Sequence, residues 1–404
     1  MTLPSSLYRD ISPPHVPKRR KTSIVQTQSP EAKILYDASN DPALAAVEAG
    51  RAKIEDHLTY FKHHLAEASR STPQDVPRLS IEDFAALYKS NSHQNGHHFV
   101  IHQHNHPKAG VHYDLRLQFS TSSSVSWAFP KGLPGNPNSR QLGRMAVETR
   151  VHNLWNNLIE SASMKTGSLL IWDTGTYSIL PSKKSQNEVP SPQTTDDECE
   201  TDKESFEEPA PENEKLVDAF QSRHIRLRLH GVRLPKDYTI TLRLPSNNDI
   251  SPRKPVSRRR NRRSVAQRRR LSHTSDSDST TIAPMTANDG VQDADANDLD
   301  TDSEEDALTR AQNAYPGSTN SIGSIHQRRW FVLLDRQSSG FELHGGKWVR
   351  RVLPSGELGG FDPFVVRGRI YERSIVTGRL ARDVESDEGC QGYVGRGVWK
   401  SIED

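Results

Sequence analysis

One predicted strand carries polar side chains whose types and spacing suit metal and phosphate chemistry. Residues 111–119 (VHYDLRLQF) alternate apolar and polar positions, which predicts that His112, Asp114 and Arg116 share one face of a strand. A neutral imidazole and a carboxylate at this spacing can both bind a divalent metal. A guanidinium next in the row suits a phosphate, which it binds through paired hydrogen bonds. The alternative interpretation is a solvated polar strand face.

A row of histidines precedes this strand. Seven of the 17 histidines lie between positions 93 and 112. If the chain there is extended, His102, His104 and His106 share one face. A hairpin would then bring this row alongside His112 and Asp114 and could complete a His-His-Asp metal site. The alternative is a solvated polar tract.

The elements that must position these side chains are mostly strands. Turn residues cluster between Gly132 and Asn138, and short β-rich runs lie on both sides of them. This pattern is typical of a mainly β protein with a small barrel or sandwich. The predicted strands cover residues 98–101, 111–119, 124–129, 168–172, 225–229, 238–244 and 330–334.

Composition indicates that only part of the chain folds. Of the 404 residues, 33% are hydrophobic and 26% are charged, with a mean hydropathy of −0.76. The two cysteines, Cys199 and Cys390, exclude a disulfide framework and a cysteine-rich zinc site. Residues 1–40 are predicted to be disordered, and residues 41–79 to hold an amphipathic helix and a linker, the helix covering about 42–69 after an Asp41-Pro42 cap. Residues 80–244 are predicted to form the barrel, with an acidic disordered insertion at 183–214. Residues 245–325 are predicted to be disordered, first basic and then acidic, and residues 326–404 to be a β-rich part that packs on the barrel or completes it.

Four motifs follow one another along residues 98–180: HHFVIHQHNHPKAGVHYDLRLQF, SWAFPKGLP, MAVETRVH and GSLLIWDTGTY. Their order and spacing resemble the 3′-phosphoesterase domain of bacterial DNA ligase D, and IRLRLHGVRLPKDYTITLRL extends the resemblance more weakly to about residue 244. The resemblance implies a small β-barrel that depends on a metal, preferably manganese. Such domains remove a 3′-phosphate or a 3′-terminal ribonucleotide from a primer strand and leave a 3′-hydroxyl.

The resemblance also implies roles for individual residues. His112 and Asp114 match two metal ligands of the family, and Arg116 matches its phosphate-contacting arginine. A third ligand is His104 by counting along the first strand and His106 by counting back along the loop. We prefer His104, because strand register is harder to change than loop length.

Three further residues match motif positions of the family, and one of them, His152, matches its phosphate-contacting histidine. Lys131 lies in the Trp-Ala-x-Pro-Lys-Gly motif, Arg144 precedes Ala-Val, and His152 follows six residues after Ala146. Without the resemblance these would be ordinary surface charges and a structural histidine. His152 would donate a hydrogen bond to phosphate or protonate the leaving oxygen. The family's tyrosine four residues later is Asn156 here, a departure that concerns substrate positioning rather than the metal ligands.

The leading function is therefore a metal-dependent 3′-phosphoesterase acting on DNA or DNA/RNA 3′ ends in repair, with Mn²⁺, or alternatively Zn²⁺ or Co²⁺, as cofactor. The main alternative is a catalytically weak barrel that binds nucleic acid or proteins in the nucleus. A cupin-like metal oxygenase is disfavoured, because Arg116, Lys131 and Arg144 suit phosphate better. We expect a monomer with possible repair-protein partners and no membrane association, since no apolar run approaches about 20 residues.

Charge is strongly segregated along the predicted disordered segments. Residues 253–270 contain ten basic side chains and no acidic one, and a second basic cluster occupies 17–21. Residues 276–306 are rich in Asp and Glu. Basic tracts of this kind are typical of nuclear localisation or nucleic-acid contact. We therefore expect a nuclear protein; the alternative is that the tracts are merely solvated.

Overall fold

Strands are the main regular secondary structure in the described part of the chain. The computed structural model describes residues 43–181, 210–249 and 312–402, apart from positions 49, 391 and 397–398. The strands are β1 His98–His106, β2 Gly110–Gln118, β3 Ser123–Phe129, β4 Arg144–Glu148, β5 His152–Asn153, β6 Ser161–Ser163, β7 Gly167–Ile179, β8 His224–Gly231, β9 Thr239–Arg243, β10 Arg329–Leu334, β11 Phe341–His344 and β12 Lys347–Arg350. The α-helices are α1 Leu44–Glu48, α2 His57–Ala68, α3 Ile81–Asn91, α4 Glu212–Gln221 and α5 Ala381–Asp387. Short 3₁₀ helices span Leu154–Leu158 and Ser246–Asn248.

Eight antiparallel strands form a closed barrel. Their order is β1-β2-β3-β4-β10-β9-β8-β7, and pairing between β1 and β7 closes the ring. Strand β10 lies between β4 and β9, although about 80 residues separate it from β9 in the chain. Closure satisfies every strand edge of the ring, which an open sheet cannot do. The mainly β, small-barrel prediction is confirmed.

Apolar side chains of the alternating strands fill the barrel. The inward row of β2 includes Tyr113, Leu115 and Leu117, all fully buried. Large aromatic rings meet across the interior, where Trp127 and Trp330 have centroids 5.7 Å apart. Because side chains alternate across a strand, this packing turns the polar row of β2 to the outer face.

A second apolar cluster covers that outer face. Helices α2 and α3 contribute Phe61, Leu65 and Phe84, which pack with Val100 of β1 and Ile159. The 3₁₀ turn Leu154–Leu158 and the residues that follow it lie over β1 and β2. The polar row is therefore shielded from bulk solvent, although it lies outside the barrel. No helix within the described ranges is long and apolar enough to cross a membrane.

The helix predicted over about 42–69 is instead two helices. Helix α1 ends at Glu48, and Gly50 adopts a positive φ of 66°, a conformation that ends helices. Helix α2 starts afresh at His57, where the Asp56 side chain accepts a hydrogen bond from the Thr59 amide at 3.0 Å. The Asp41-Pro42 cap lies outside the described residues.

At their edges, the segments that were predicted to be disordered include residues whose structure is described. Helix α4 begins inside the acidic insertion, and residues 245–249 and 312–325 are described. Residues 312–325 are ordered because their backbone pairs with the chain after β4: the Val151 amide donates to the Asn313 carbonyl at 2.9 Å, and the Tyr315 amide donates to the Val151 carbonyl at 3.0 Å. The remainder of the predicted disordered segments, including residues 17–21, 253–270 and 276–306, lies outside the described residues.

Candidate metal centre

The β1–β2 hairpin brings three potential metal ligands together. Its register places His104 directly opposite His112 and His102 opposite Asp114. One ligand atom each from His104, His112 and Asp114 lies within 4.8 Å of the other two. The three side chains are 17%, 10% and 8% exposed, respectively. The cluster is thus a compact, mostly buried set of two nitrogens and one carboxylate.

Backbone carbonyls determine which nitrogen of each histidine faces the cluster. The His104 Nε2 donates to the Thr166 carbonyl at 2.9 Å, and the His112 Nδ1 donates to the Gly110 carbonyl at 3.0 Å. A carbonyl only accepts hydrogen bonds, so these nitrogens carry the protons. The other nitrogens face Asp114, with His104 Nδ1 3.2 Å from Oδ2 and His112 Nε2 3.4 Å from Oδ1. In the neutral rings both lone pairs therefore point at the carboxylate, an arrangement that a bound cation, or a proton on His104 Nδ1, makes favourable.

The charges of the cluster set the protonation state of each of its three side chains. Burial raises the pKa of Asp114, but the charges of His112, His104 and Arg116 outweigh it and hold the pKa below the usual value. Burial lowers the pKa of His112 to about 4. For His104, burial opposes the charged form, but the hydrogen bond and the charge of Asp114 raise its pKa overall. Asp114 is therefore ionised and His112 neutral at neutral pH.

The donor set fits a divalent metal ion. The Asp114 Oδ1 is buried and has no hydrogen-bond partner among the described residues. An unpartnered buried carboxylate oxygen is costly unless a cation binds it. Two imidazole nitrogens and a carboxylate oxygen are ligands that Mn²⁺, Zn²⁺ and Co²⁺ all accept. His104, His112 and Asp114 would hold that ion.

Arg116 lies next to this cluster with donors left over. Its guanidinium is 4% exposed, and Nη1 donates to the Asn156 carbonyl at 2.9 Å. Its Nε is buried without a hydrogen-bond partner in the described part of the chain. Burial lowers the pKa of Arg116, whereas the charge of Asp114 raises it. A buried cation with unused donors beside a metal-binding cluster is suited to an anionic ligand.

His106, the alternative ligand, lies outside the three-residue cluster. Its ring is half-buried, and Nδ1 accepts hydrogen bonds from the amides of Lys108 and Ala109 at 3.2 and 3.1 Å. These bonds hold it in the hairpin turn. The ring centroid remains 5.4 Å from that of His104. The geometry therefore favours His104 over His106, and the ligand assignment stays a prediction.

His152 lies on β5, close to Arg116. Burial and the charge of Arg116 hold the pKa of His152 well below its usual value. Its Nδ1 accepts a long hydrogen bond of 3.4 Å from the Asn156 Nδ2, which leaves the proton of the neutral ring on Nε2. His152 is thus a neutral hydrogen-bond donor beside the cluster.

Arg144 and Lys131 have different surroundings from those predicted. Arg144 is buried, and its Nη1 donates to the carbonyls of Lys131, Gly132 and Leu133. These bonds hold the loop after β3, and Lys131 on that loop is exposed. The structure does not bring either residue into the contacts of the metal cluster. Their phosphate contacts stay predictions from the family resemblance.

Two residues near the site were missed by sequence reasoning. Glu48 of α1 accepts a hydrogen bond from the Ser161 hydroxyl at 2.7 Å, and its charge raises the pKa of His104. Tyr315 packs on His152, with ring centroids 4.7 Å apart. Both belong to segments far from the motifs in sequence, so no local spacing pointed to them.

The fold and the site together describe a closed β-barrel protein whose covered outer face carries a His-His-Asp cluster that could hold a metal ion, with a buried arginine beside it. Residues 102–242 match the family model of the DNA Ligase D 3′-phosphoesterase domain. The resemblance drawn from the sequence motifs is thereby confirmed.

Curated relatives agree with this assignment. Over 130 residues, 31% of this chain, the protein is 32% identical to the multifunctional non-homologous end joining protein LigD of Mycobacterium bovis. The multifunctional non-homologous end joining DNA repair protein LigD of Mycobacterium tuberculosis matches to the same extent. The matched part spans 15% of the length of each relative.

Proposed function

We propose that this protein is a metal-dependent 3′-phosphoesterase that processes DNA or DNA/RNA 3′ ends in repair. The match of residues 102–242 to the model of the DNA ligase D 3′-phosphoesterase domain supports processing of 3′ ends. The names of the mycobacterial relatives, which specify non-homologous end joining and DNA repair, agree with that role. Manganese is the proposed metal, with zinc or cobalt as alternatives.

The observation that carries the proposal is the arrangement of unpartnered groups in one polar row. The two histidines turn unprotonated nitrogens to Asp114, and Asp114 Oδ1 and Arg116 Nε both lack hydrogen-bond partners among the described residues. The unprotonated histidine nitrogens and the Asp114 oxygen suit a divalent cation. The Arg116 Nε donor suits a phosphate bound to the same cation. A cation and an anion bound side by side would satisfy all of these groups.

Each side chain then has a role on a terminal phosphate. A bound divalent ion supplies Lewis acidity at the phosphoryl group and lowers the pKa of a bound water. Arg116 neutralises charge on the non-bridging oxygens. The neutral His152 donates an Nε2–H hydrogen bond to the phosphate or to the leaving oxygen and keeps its proton, because its lowered pKa rules out the charged form that could transfer one. Thr166 and Gly110 hold the two histidines in the required tautomers through their carbonyls.

The test is turnover of a labelled primer that ends in a 3′-phosphate, measured with Mn²⁺, with Zn²⁺, with Co²⁺ and with excess EDTA. We expect metal-stimulated release of phosphate from the wild type and no measurable release from Asp114→Asn. Asp362→Asn is the matched control, because the Asp362 side chain is 93% exposed and pairs only with Arg350 among the contacts described. A primer with a 3′-terminal ribonucleotide, run in parallel, identifies which end is preferred.

Two outcomes would contradict the proposal. Equal turnover by wild type and Asp114→Asn would show that the cluster is not the reaction site. Tight binding of the primer without turnover under any of the three metals would favour the catalytically weak binding module instead.

A further inference from the structure

The segment 312–328 runs beside the candidate site. Its start pairs with the chain after β4: the Asn313 Nδ2 donates to the Thr149 carbonyl at 2.9 Å, and Ala314 forms a parallel bridge with Val151. Its end is held by the fully buried Glu148, which accepts from Arg328 Nε at 2.8 Å. The segment is thus fixed at both ends to the strand and loop that lead into His152.

This attachment places an aromatic ring on the imidazole of His152. The two ring centroids are 4.7 Å apart with an interplanar angle of 44°. The guanidinium carbon of Arg150 lies 5.4 Å from the Tyr315 centroid, within the range of a cation–π contact. The Asn156 amide meets the Nδ1 edge of the imidazole. The orientation of His152 is therefore restrained at one edge by an amide and across the ring by Tyr315.

We propose that Tyr315 is a positioning residue for His152, which it holds with the Nε2 hydrogen available to the substrate phosphate. The proposal rests on the proposed function for its kinetic consequence, but the restraint on the imidazole does not. Strand β5 has only two residues, so the backbone gives His152 little support of its own. The hydrogen bond from Asn156 is long, and the ring contact is the stronger restraint.

Tyr315 also contributes to the electrostatic environment of His152. The phenol is partly buried, and burial raises its pKa, while Arg116 and Arg150 act against that effect. A neutral aromatic ring over the imidazole excludes water from it. Loss of the ring should therefore make the charged form of His152 easier to reach.

The experiment compares Tyr315→Leu with Tyr315→Phe in the full-length protein. Tyr371→Leu is the matched control, because Tyr371 is 66% exposed. Histidine side chains are labelled with ¹³C, and the His152 resonance is assigned by its loss in His152→Gln. The His152 pKa is then followed by NMR in the metal-free protein, and kcat and KM are measured on the 3′-phosphate primer.

For Tyr315→Leu we expect the His152 pKa to rise by about one unit or more, kcat to fall by about tenfold and KM to change little. Tyr315→Phe, which keeps the ring, should retain most of the turnover and the wild-type His152 pKa. Added Mn²⁺ should stabilise all variants equally, because the metal ligands are untouched.

The proposal is overturned if folded Tyr315→Leu keeps the wild-type His152 pKa and kcat. It is also overturned if Tyr315→Phe loses as much turnover as Tyr315→Leu, because the hydroxyl and not the ring would then act. If no variant, including the wild type, turns over the primer, the proposed function fails, and the NMR comparison still decides whether Tyr315 positions His152.

Discussion

Replacing His104 or His106 by alanine tests the third metal ligand most directly. The two residues lie on the same strand face two positions apart, but only His104 has a ligand atom in the cluster. His104→Ala removes hydrogen bonds to Asp114 and to the Thr166 carbonyl, so it destabilises the protein even without metal. The informative quantity is therefore the shift in Tm that Mn²⁺ causes within each variant, which cancels that cost.

The size of the shift follows from binding to the native state alone. At a Mn²⁺ concentration of about 100 Kd, binding stabilises the folded protein by about 2.7 kcal/mol. For an ordered part of this size that corresponds to a rise in Tm of about 5–10 °C. If loss of His104 weakens binding about 100-fold, the same concentration gives about 0.4 kcal/mol and a shift of about 1 °C.

Differential scanning fluorimetry with Mn²⁺ and with EDTA measures these shifts. We expect the full shift in wild type and His106→Ala and nearly none in His104→Ala. His112→Ala serves as the positive control for loss of a ligand. The reasoning is refuted if His104→Ala keeps the full shift in Tm or if His106→Ala loses it. In that case counting back along the loop, which gives His106, would identify the ligand.

Three other predictions concern pH, stability and the basic tract. Because the pKa of His104 is raised, protons compete with the metal for this ring over a higher pH range than they would for a free histidine. The Mn²⁺ affinity measured by calorimetry should therefore fall from pH 8 to pH 6. An affinity that does not depend on pH would contradict this prediction. Glu148→Gln removes the closer of the two carboxylates that pair with the buried Arg328 guanidinium, at 2.8 Å, and leaves Asp249 at 3.3 Å. It should lower the free energy of unfolding in urea by about 2–3 kcal/mol, whereas the exposed Glu342→Gln should change it by less than about 0.5 kcal/mol. Equal effects of the two substitutions would argue against a stabilising role of Glu148. Deletion of residues 253–270, which lie outside the described residues, should weaken the binding of duplex DNA and flatten its salt dependence. It should also reduce nuclear accumulation but leave turnover of a short primer unchanged. Loss of that turnover in a folded protein would place the tract in the active site.

The alternation of residues 111–119 was sufficient to predict the chemistry of the site's central row. A strand has a period of two, so His112, Asp114 and Arg116 share a face wherever the strand is placed. The same rule predicted that His104 would meet this row if the two segments formed a hairpin, and the register of β1 with β2 brings them opposite each other. Local periodicity and the order of the motifs were also enough to predict a small β-barrel.

The partners of this row depend on the tertiary structure. Which nitrogen of His104 faces Asp114 is decided by the Thr166 carbonyl, 62 residues away, and Arg144 is directed to loop carbonyls rather than to the cluster. Neither contact has a local sequence signal, because each depends on how distant strands pack. The physical reason to prefer His104 over His106 also lies in the tertiary structure, where two backbone amides of the hairpin turn donate hydrogen bonds to His106 Nδ1.

The sequence by itself determined the polar row, because that depends on periodicity within a single strand. Its resemblance to the ligase D family implied the barrel class and the candidate ligands. Only the tertiary structure decided that β10 lies between β4 and β9, and that Tyr315, a short way before it in the chain, packs on His152. The polar composition of residues 245–325 predicted disorder throughout, but residues 312–325 are ordered by pairing with residues 149–151 and by the buried Glu148. Such long-range pairing is a property of the closed barrel as a whole, so no window of sequence contains it.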